Sequence, residues 1–223
     1  MKKYLYFLKA SETPPDCPRL QRAYGFRPDG SWCGLPLPRD AAGLVLEDRC
    51  LPSPGGLAAA LKALSGWEGL LLLDFERPPT PLLIRLAQDL AGRTLIVPPS
   101  YAAWPHRAIL VGPWPGYGCF QTWLQRQQAR WGSMVLDAAP IRLRASPGGG
   151  RPMFWRGSLP QSGFPCPGAG CLHRRLEDGS VLFWDTAQTL TERCRDAGVP
   201  ALVFSEDWAA LSPAPPKASV KKP

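Results

Sequence analysis

Short apolar runs alternate with stretches of helical spacing along most of this chain, which is the pattern of βα units around a mainly parallel sheet. The predicted strands are residues 4–9, 43–47, 69–75, 94–97, 108–112, 134–137, 181–184 and 201–204. The predicted helices are residues 57–64, 80–90, 118–131 and 186–197. Eight strands in 223 residues predict an α/β fold, a compact (β/α)8 TIM-type barrel. The alternative is an open doubly wound sheet, but the Gly-rich phosphate motifs that usually accompany it do not occur.

Pro- and Gly-rich segments interrupt this pattern without dividing it into two domains. Residues 1–211 are expected to form one barrel-like domain, with loop excursions at 11–40 and 145–180. The second excursion is expected to contain a hairpin around Phe154. Residues 212–223 are rich in Pro, Ala and Lys, which predicts a disordered tail.

The formal net charge of +8 by itself suggests nucleic-acid binding. However, part of the excess lies in the two tails, and the remaining Arg residues are dispersed rather than arranged in a stripe. No signature of a recognition helix, an RRM or a KH module accompanies them. A solvated surface therefore explains the charge better than a nucleic-acid interface does.

The seven cysteines are an odd number, and no signal peptide precedes them. No apolar run approaches the roughly 18 residues that a membrane span needs. These features predict a cytoplasmic protein with reduced thiols and no membrane partner. Cys166, Cys171 and His173 have the spacing of a short zinc motif but lack a second ligand pair, so no metal or other cofactor is expected.

Acidic residues follow several of the predicted strands, at the edge where a barrel places its active site. They are Glu47, Asp48, Asp74, Glu76, Asp137, Asp185, Glu206 and Asp207. Asp74 and Glu76 stand out, because residues two apart on a strand point to the same side and four leucines precede them. Apolar surroundings raise the pKa of a carboxyl, and two coupled acids of which one is protonated form a general-acid device. The alternative is a solvated strand end at which Glu76 pairs with Arg77 or Arg85.

The segment Gly69–Glu76, Gly-Leu-Leu-Leu-Leu-Asp-Phe-Glu, resembles the DxxDxDxE strand of glycoside hydrolase family 18, the chitinases and related N-acetylglucosaminidases. The final Asp-aromatic-Glu is present, whereas Gly69 and Leu72 replace the first two acids. Upstream, Ser53–Gly56, Ser-Pro-Gly-Gly, is similar to the SxGG motif of that family.

Two downstream segments extend the resemblance in the same order. Met134–Asp137 resembles the MxYD strand of the family, with Leu136 where Tyr is expected. Residues 178–204, followed by Trp208, are similar to the last two barrel units of its spore-associated and peptidoglycan-directed members.

The resemblance implies binding and hydrolysis of an N-acetylglucosamine-containing glycan, such as a peptidoglycan fragment, by a substrate-assisted retaining mechanism. Glu76 would protonate the leaving oxygen, Asp74 would orient the 2-acetamido group, and Asp137 would hydrogen-bond at the same end of the sugar ring. The expected substrate-binding residues are Trp208 under the sugar, Trp184, and Tyr101 and Tyr117, either of which would replace the tyrosine absent at position 136.

The replacements at Leu72 and Leu136 support a second hypothesis. A barrel without these polar groups is expected to be catalytically inactive and to act as a glycan-binding or protein-interaction module. A wall-directed hydrolase without an export signal would have to act inside a spore or a mother cell. Either hypothesis centres on the strand end at Asp74.

Overall fold

The computed structural model describes residues 4–8, 17–34, 36–39, 41–116 and 118–211. The strands are β1 (Tyr4–Leu8), β2 (Arg19–Phe26), β3 (Trp32–Cys33), β4 (Gly43–Glu47), β5 (Leu70–Asp74), β6 (Leu95–Val97), β7 (Ala108–Val111), β8 (Met134–Asp137), β9 (Arg142–Ala145), β10 (Met153–Phe154), β11 (Phe164–Cys166), β12 (Cys171–Arg175), β13 (Val181–Trp184) and β14 (Ala201–Phe204). The helices are α1 (Pro54–Leu64), α2 (Pro81–Asp89), α3 (Phe120–Trp131), α4 (Ala187–Ala197) and α5 (Ser205–Leu211). The predicted tail at 212–223 lies outside the described residues.

A curled sheet of eight strands, extended by the short β3 that pairs antiparallel with β2, organises the described part of the chain. Strands β2, β4, β5, β6, β7, β8 and β14 lie side by side in that order and are parallel. Strand β1 pairs with both β2 and β14 and is antiparallel to each. The mixed α/β class is therefore confirmed, and the fold is compatible with a TIM-like one. It is not a regular closed barrel of eight parallel strands.

Two of the sequence-based assignments were wrong. The segment 11–40 was predicted as a loop because it is rich in Pro and Gly, but it contains β2, a strand of eight residues, and β3. Residues 181–184 do form a strand, but β13 belongs to a second sheet rather than to the curled one. Strand β2, which was not predicted, pairs with β1 and β4 in the curled sheet, and β8 and β14 are direct neighbours.

The second sheet is inserted between β8 and α4. Its five antiparallel strands lie in the order β10, β9, β13, β12, β11. Most of it falls within the predicted excursion at 145–180, where the expected hairpin corresponds to β9 and β10, with Phe154 opposite Leu143. The insert follows Asp137, the last residue of β8, within a few residues, and its first strand therefore begins near the carboxyl end of β8.

The curled sheet is buried on both faces, as parallel sheets require. Each of its seven parallel strands places one residue in an inner apolar layer, which consists of Leu20, Val45, Leu72, Ile96, Ala108, Val135 and Leu202. The outer face packs against the helices, and Leu71 and Leu73 point to that side. The leucines of β5 thus pack into both the inner layer and the outer core. The residue two positions after each inner-layer residue lies on the same side of the sheet, at its carboxyl end.

Candidate functional site

The second layer of inward-pointing residues forms the mouth of the curled sheet. Two positions beyond the inner layer are Arg22, Glu47, Asp74, Pro98, Leu110, Asp137 and Phe204, and we call these residues other than Pro98 the mouth layer. Five of these residues, together with Leu72 and Leu202 from below, line a cavity of about 30 Å³. Because it takes residues from strands across the sheet, the cavity brings Asp74 and Asp137 together although they are 63 positions apart in the sequence.

Arg22 lies at the centre of the mouth layer. Its Nε donates to Oε1 of Glu47 at 2.9 Å, and its Nη2 contacts the same carboxylate and donates to Oδ2 of Asp74 at 2.5 Å. The guanidinium carbon lies 4.8 Å from the centre of the Phe204 ring. Only 10% of the Arg22 side chain is exposed. One cation therefore links the carboxyl ends of β4 and β5.

The two aspartates of the mouth layer differ in their surroundings. Burial raises the pKa of Asp137 to about 6, and the negative charges of Asp74 and Asp207 act in the same direction, against the Ala139 N–H and Arg22. Burial also raises the pKa of Asp74, but Arg22 opposes this shift, while Glu47 and Glu76 add to it. The arrangement favours a proton on Asp137 in mildly acidic solution, whereas the neighbouring Arg22 offsets part of the rise in the pKa of Asp74.

Glu76 lies beyond the end of β5 and is exposed. Its backbone N–H donates a hydrogen bond to the carboxylate of Asp48, and its negative charge helps to raise the pKa of Asp74. The alternative partners are engaged elsewhere: Arg77 donates to the carbonyls of Asp48 and Arg49, and Arg85 pairs with Asp89. The two aspartates line the mouth cavity, whereas Glu76 is exposed two residues beyond Asp74 and does not line it.

A larger groove adjoins the mouth at Glu47. It has a volume of about 450 Å³ and is lined by Tyr24, Phe26, Trp32, Arg49 and their neighbours. The ring of Trp32 stacks on Tyr24 with 6.2 Å between centroids. An aromatic wall beside charged side chains suits a polar ring-shaped ligand.

Among the described residues, the predicted aromatic contacts Tyr101, Trp184 and Trp208 do not line the mouth cavity. Trp184 is 2% exposed in the inserted sheet, and Trp208 lies against α4 in a separate groove. Tyr101 is fully buried against Phe75 on the outer side of β5, and burial followed by the charge of Asp48 raises its pKa to about 12. Tyr117 lies outside the described residues. Trp184 ends its predicted strand, and that position did not reveal which sheet the strand would join.

Asp185, another acid at a strand end, forms buried hydrogen bonds and does not line the mouth cavity. Its carboxylate is buried and accepts hydrogen bonds from the Ile141 N–H at 2.7 Å and from Arg193 Nη1 at 2.7 Å. Thr186, rather than Asp185, caps α4. Sequence reasoning missed Arg22, since a residue in a predicted loop has no assigned face. The available signal was that Arg22 lies two positions after the apolar Leu20, the spacing of residues on one face of a strand.

No group of three or more His, Cys, Asp or Glu side chains within the described ranges is placed to hold a metal ion. Cys166 lies opposite Cys171 across two strands of the insert, and His173 follows on the same strand. None of the described helices is long and apolar enough to cross a membrane.

Comparisons with known proteins give a likeness of fold. No protein-family model matches the sequence, and no curated protein sequence matches it. Among solved structures, the chain is similar to that of ydhD from Bacillus subtilis, a protein described as a candidate sporulation-specific glycosylase. The TM-score is 0.54 at 8% identity, and the match covers 92% of this chain and 97% of the other. At this identity the likeness shows the fold alone.

Proposed function

We propose that this protein is a glycoside-hydrolase-like enzyme that binds and hydrolyses an N-acetylglucosamine-containing glycan at the mouth of its curled sheet. The observation that carries the proposal is that Asp74 and Asp137 line one cavity at the carboxyl end of the parallel strands, with the exposed Glu76 two residues beyond Asp74. This is the end at which barrel enzymes carry their catalytic residues. The fold shared with a candidate glycosylase supports the same class of activity.

The three acids suit different steps of a substrate-assisted mechanism. Glu76 is exposed to an incoming glycosidic oxygen and would act as the proton donor. Asp74 would stay charged beside Arg22 and stabilise the cationic character that develops on the acetamido group as its carbonyl oxygen attacks the anomeric carbon. Asp137, whose pKa is about 6, would donate a hydrogen bond from its protonated form.

The groove beside the mouth provides the room that a sugar needs. The cavity of about 30 Å³ holds only a small group, whereas the adjoining groove of about 450 Å³ is within the range of ligand pockets. We propose that a sugar ring stacks on Trp32 there, next to Glu47. An aromatic face against the apolar face of a sugar is a favourable contact.

Hydrolysis of chitooligosaccharides and peptidoglycan fragments tests the proposal. We expect the wild-type protein to release reducing ends and Glu76→Gln to lower kcat by roughly 10²–10⁴. Glu68→Gln is the matched control, because Glu68 is exposed before β5, at the opposite end of the same strand. Equal rates in wild type and Glu76→Gln, or no turnover in either, would remove the catalytic proposal.

A second candidate function is glycan binding without turnover. Its support is the occupied mouth: Arg22 engages both Glu47 and Asp74, and the remaining cavity is small. In that case calorimetry would detect oligosaccharide binding to the wild-type protein, with no product released over days. Trp32→Ala would weaken the binding, and Glu76→Gln would not.

The compartment is a further part of the proposal. The neighbour in fold is described as sporulation-specific, which supports a spore or mother-cell setting for a related activity. Immunoblots of separated spore, mother-cell and vegetative fractions test this, and a signal confined to vegetative cells would contradict it.

A further inference from the structure

Arg22 has hydrogen-bonding capacity that its two carboxylate partners do not use. Nε and Nη2 bind Glu47 and Asp74, whereas Nη1 is buried and has no partner among the described residues. Arginine carries five N–H donors and is never deprotonated in a protein. A buried donor without a partner costs free energy, so such a nitrogen is expected to bind something that fills the space beside it.

The empty space that Arg22 borders is the mouth cavity. Arg22 lines that cavity together with Asp74, Asp137 and the apolar side chains around them. A volume of about 30 Å³ is enough for a water molecule or for one small substituent of a larger ligand. The site is therefore built for a group of a few atoms.

Charge decides which kind of group fits. Arg22 faces both Glu47 and Asp74, and the more exposed Arg49 pairs with Glu47 alone. The negative charges of Glu47 and Glu76 act on Asp74, and those of Asp74 and Asp207 act on Asp137. An anionic acceptor would be repelled even though the whole chain carries +8. An uncharged oxygen, as in water, a hydroxyl or an amide carbonyl, can accept from Nη1 without this penalty.

We propose that Arg22 is a positioning residue that fixes Glu47 and Asp74 with Nε and Nη2 and donates from Nη1 to an uncharged oxygen acceptor in the mouth cavity. In the free protein the acceptor is a water molecule. In the complex it is an oxygen of a neutral glycan, and this part rests on the function proposed above. Arg22 thereby selects neutral over acidic sugars.

The first test concerns positioning and needs no ligand. Carboxyl NMR titrations would follow Asp74 and Asp137 in the wild-type protein, Arg22→Gln and Arg22→Lys, with Arg85→Gln as control because Arg85 is an exposed arginine of α2. We expect Arg22→Gln to raise the pKa of Asp74 by about one unit or more, and Arg22→Lys to raise it less, since a lysine keeps the charge but cannot bridge two carboxylates. An unchanged Asp74 titration in Arg22→Gln, or in Arg22→Lys if the former does not fold, overturns the positioning role.

The second test concerns the acceptor. Calorimetry would compare a neutral N-acetylglucosamine tetrasaccharide with a hyaluronan tetrasaccharide, which carries carboxylates. We expect the wild-type protein to bind the neutral sugar at least about tenfold more tightly, and Arg22→Lys to lose about tenfold of that affinity while Arg85→Lys does not. Equal affinity for the two sugars, or no loss in Arg22→Lys, overturns the donor role. If the wild-type protein binds neither sugar, the proposed function and the glycan acceptor fail together, while the NMR titration still decides whether Arg22 positions Asp74.

Discussion

The carboxylate of Asp48 holds the backbone of Glu76: its Oδ1 accepts the Glu76 N–H at 3.0 Å, and its Oδ2 accepts the Arg77 N–H at 2.7 Å. Asp48 is 3% exposed and follows the last residue of β4. Because Glu47 lies opposite Asp74 in the parallel pair, an acid that leaves one strand can bind the chain that leaves the next. Asp48 therefore sets the position from which the Glu76 side chain projects.

Replacing Asp48 is expected to destabilise this junction. Asp48→Ala leaves two backbone N–H groups without their charged acceptor, which should lower the free energy of unfolding by about 1.5–3 kcal/mol in urea titrations. Asp48→Asn keeps one acceptor oxygen, so its free energy of unfolding should lie between those of the wild type and Asp48→Ala. Since the charge of Asp48 helps to raise the pKa of Tyr101, both variants should also lower the pKa of that phenol in an absorbance titration.

The matched control for Asp48 is Asp89→Ala. Asp89 forms an exposed i,i+4 pair with Arg85 on α2, and such pairs contribute little. If Asp48→Ala and Asp89→Ala had the same unfolding free energy, the two hydrogen bonds would not be a structural anchor.

The elements with strong local signals were predictable from the sequence. The leucines of β5 predicted burial on both faces, and Leu72 indeed belongs to the inner layer while its neighbours belong to the outer core. Ser53 and Thr80 accept capping hydrogen bonds at the starts of α1 and α2, each followed by a proline in the first turn. Strand ends and helix starts depend on a few adjacent residues, so short patterns predict them.

The parts set by long-range pairing were not predictable. Strand β2 has a register irregularity between Arg22 and Tyr24, which places Arg22 in the mouth and Tyr24 in the outer core. A regular alternation would put both side chains on one face. Trp184 has the pattern of a barrel strand end, yet its strand pairs within the insert. Which sheet a short strand joins is decided by partners far away in the sequence.

The Ser-Pro-Gly-Gly segment offers a matched pair of glycine substitutions. A Cβ on Gly56 would lie 1.9 Å from the carbonyl oxygen of Gly30, whereas a Cβ on Gly55 would meet nothing within 4 Å. The same Gly30 carbonyl accepts hydrogen bonds from the Ser53 N–H at 2.9 Å and from its hydroxyl at 3.1 Å. The close approach of α1 to the β2–β3 turn therefore requires glycine at position 56 and not at 55.

We expect Gly56→Ala to lower the free energy of unfolding by about 1–3 kcal/mol, because the backbone must shift to relieve the contact. Gly55→Ala should be neutral or stabilising by up to about 1 kcal/mol, since alanine reduces the freedom of the unfolded chain. Urea unfolding of both variants measures the difference. Two equal values would indicate that the turn around Gly30 moves freely away from the helix.

The buried pair of Asp185 and Arg193 joins the inserted sheet to α4. Their side chains are 0% and 4% exposed, and Asp185 also accepts from the Ile141 N–H that begins the insert. Removing either partner leaves a buried charge uncompensated, so Asp185→Asn and Arg193→Met should each cost about 3–5 kcal/mol. The double variant should cost less than the sum by about 1–3 kcal/mol in a thermodynamic cycle. A strictly additive cycle would show that the two residues act independently, as we expect for Arg85→Met and Asp89→Asn.

Asp137 predicts how stability depends on pH. Its pKa of about 6 in the folded protein lies above the value of about 3.9 expected in the unfolded chain. Between these values the folded state binds more protons than the unfolded state, so the stabilisation is fully present below about pH 4 and is lost as the pH rises through 6. Burial, the charges of Asp74 and Asp207 and the opposing effect of Arg22 determine the shift.

Asp137→Asn removes this titration. On going from pH 4 to pH 8, the difference in unfolding free energy between the variant and the wild type should move in favour of the variant by about 1–3 kcal/mol. Asp74 is present in both proteins, so its own raised pKa largely cancels in the comparison. Glu68→Gln, exposed at the other end of β5, is the matched control. A difference that stays constant from pH 4 to pH 8 would mean that Asp137 has the same pKa in the folded and the unfolded protein. The expected change with pH would instead agree with the role that we propose for Asp137 in the mouth.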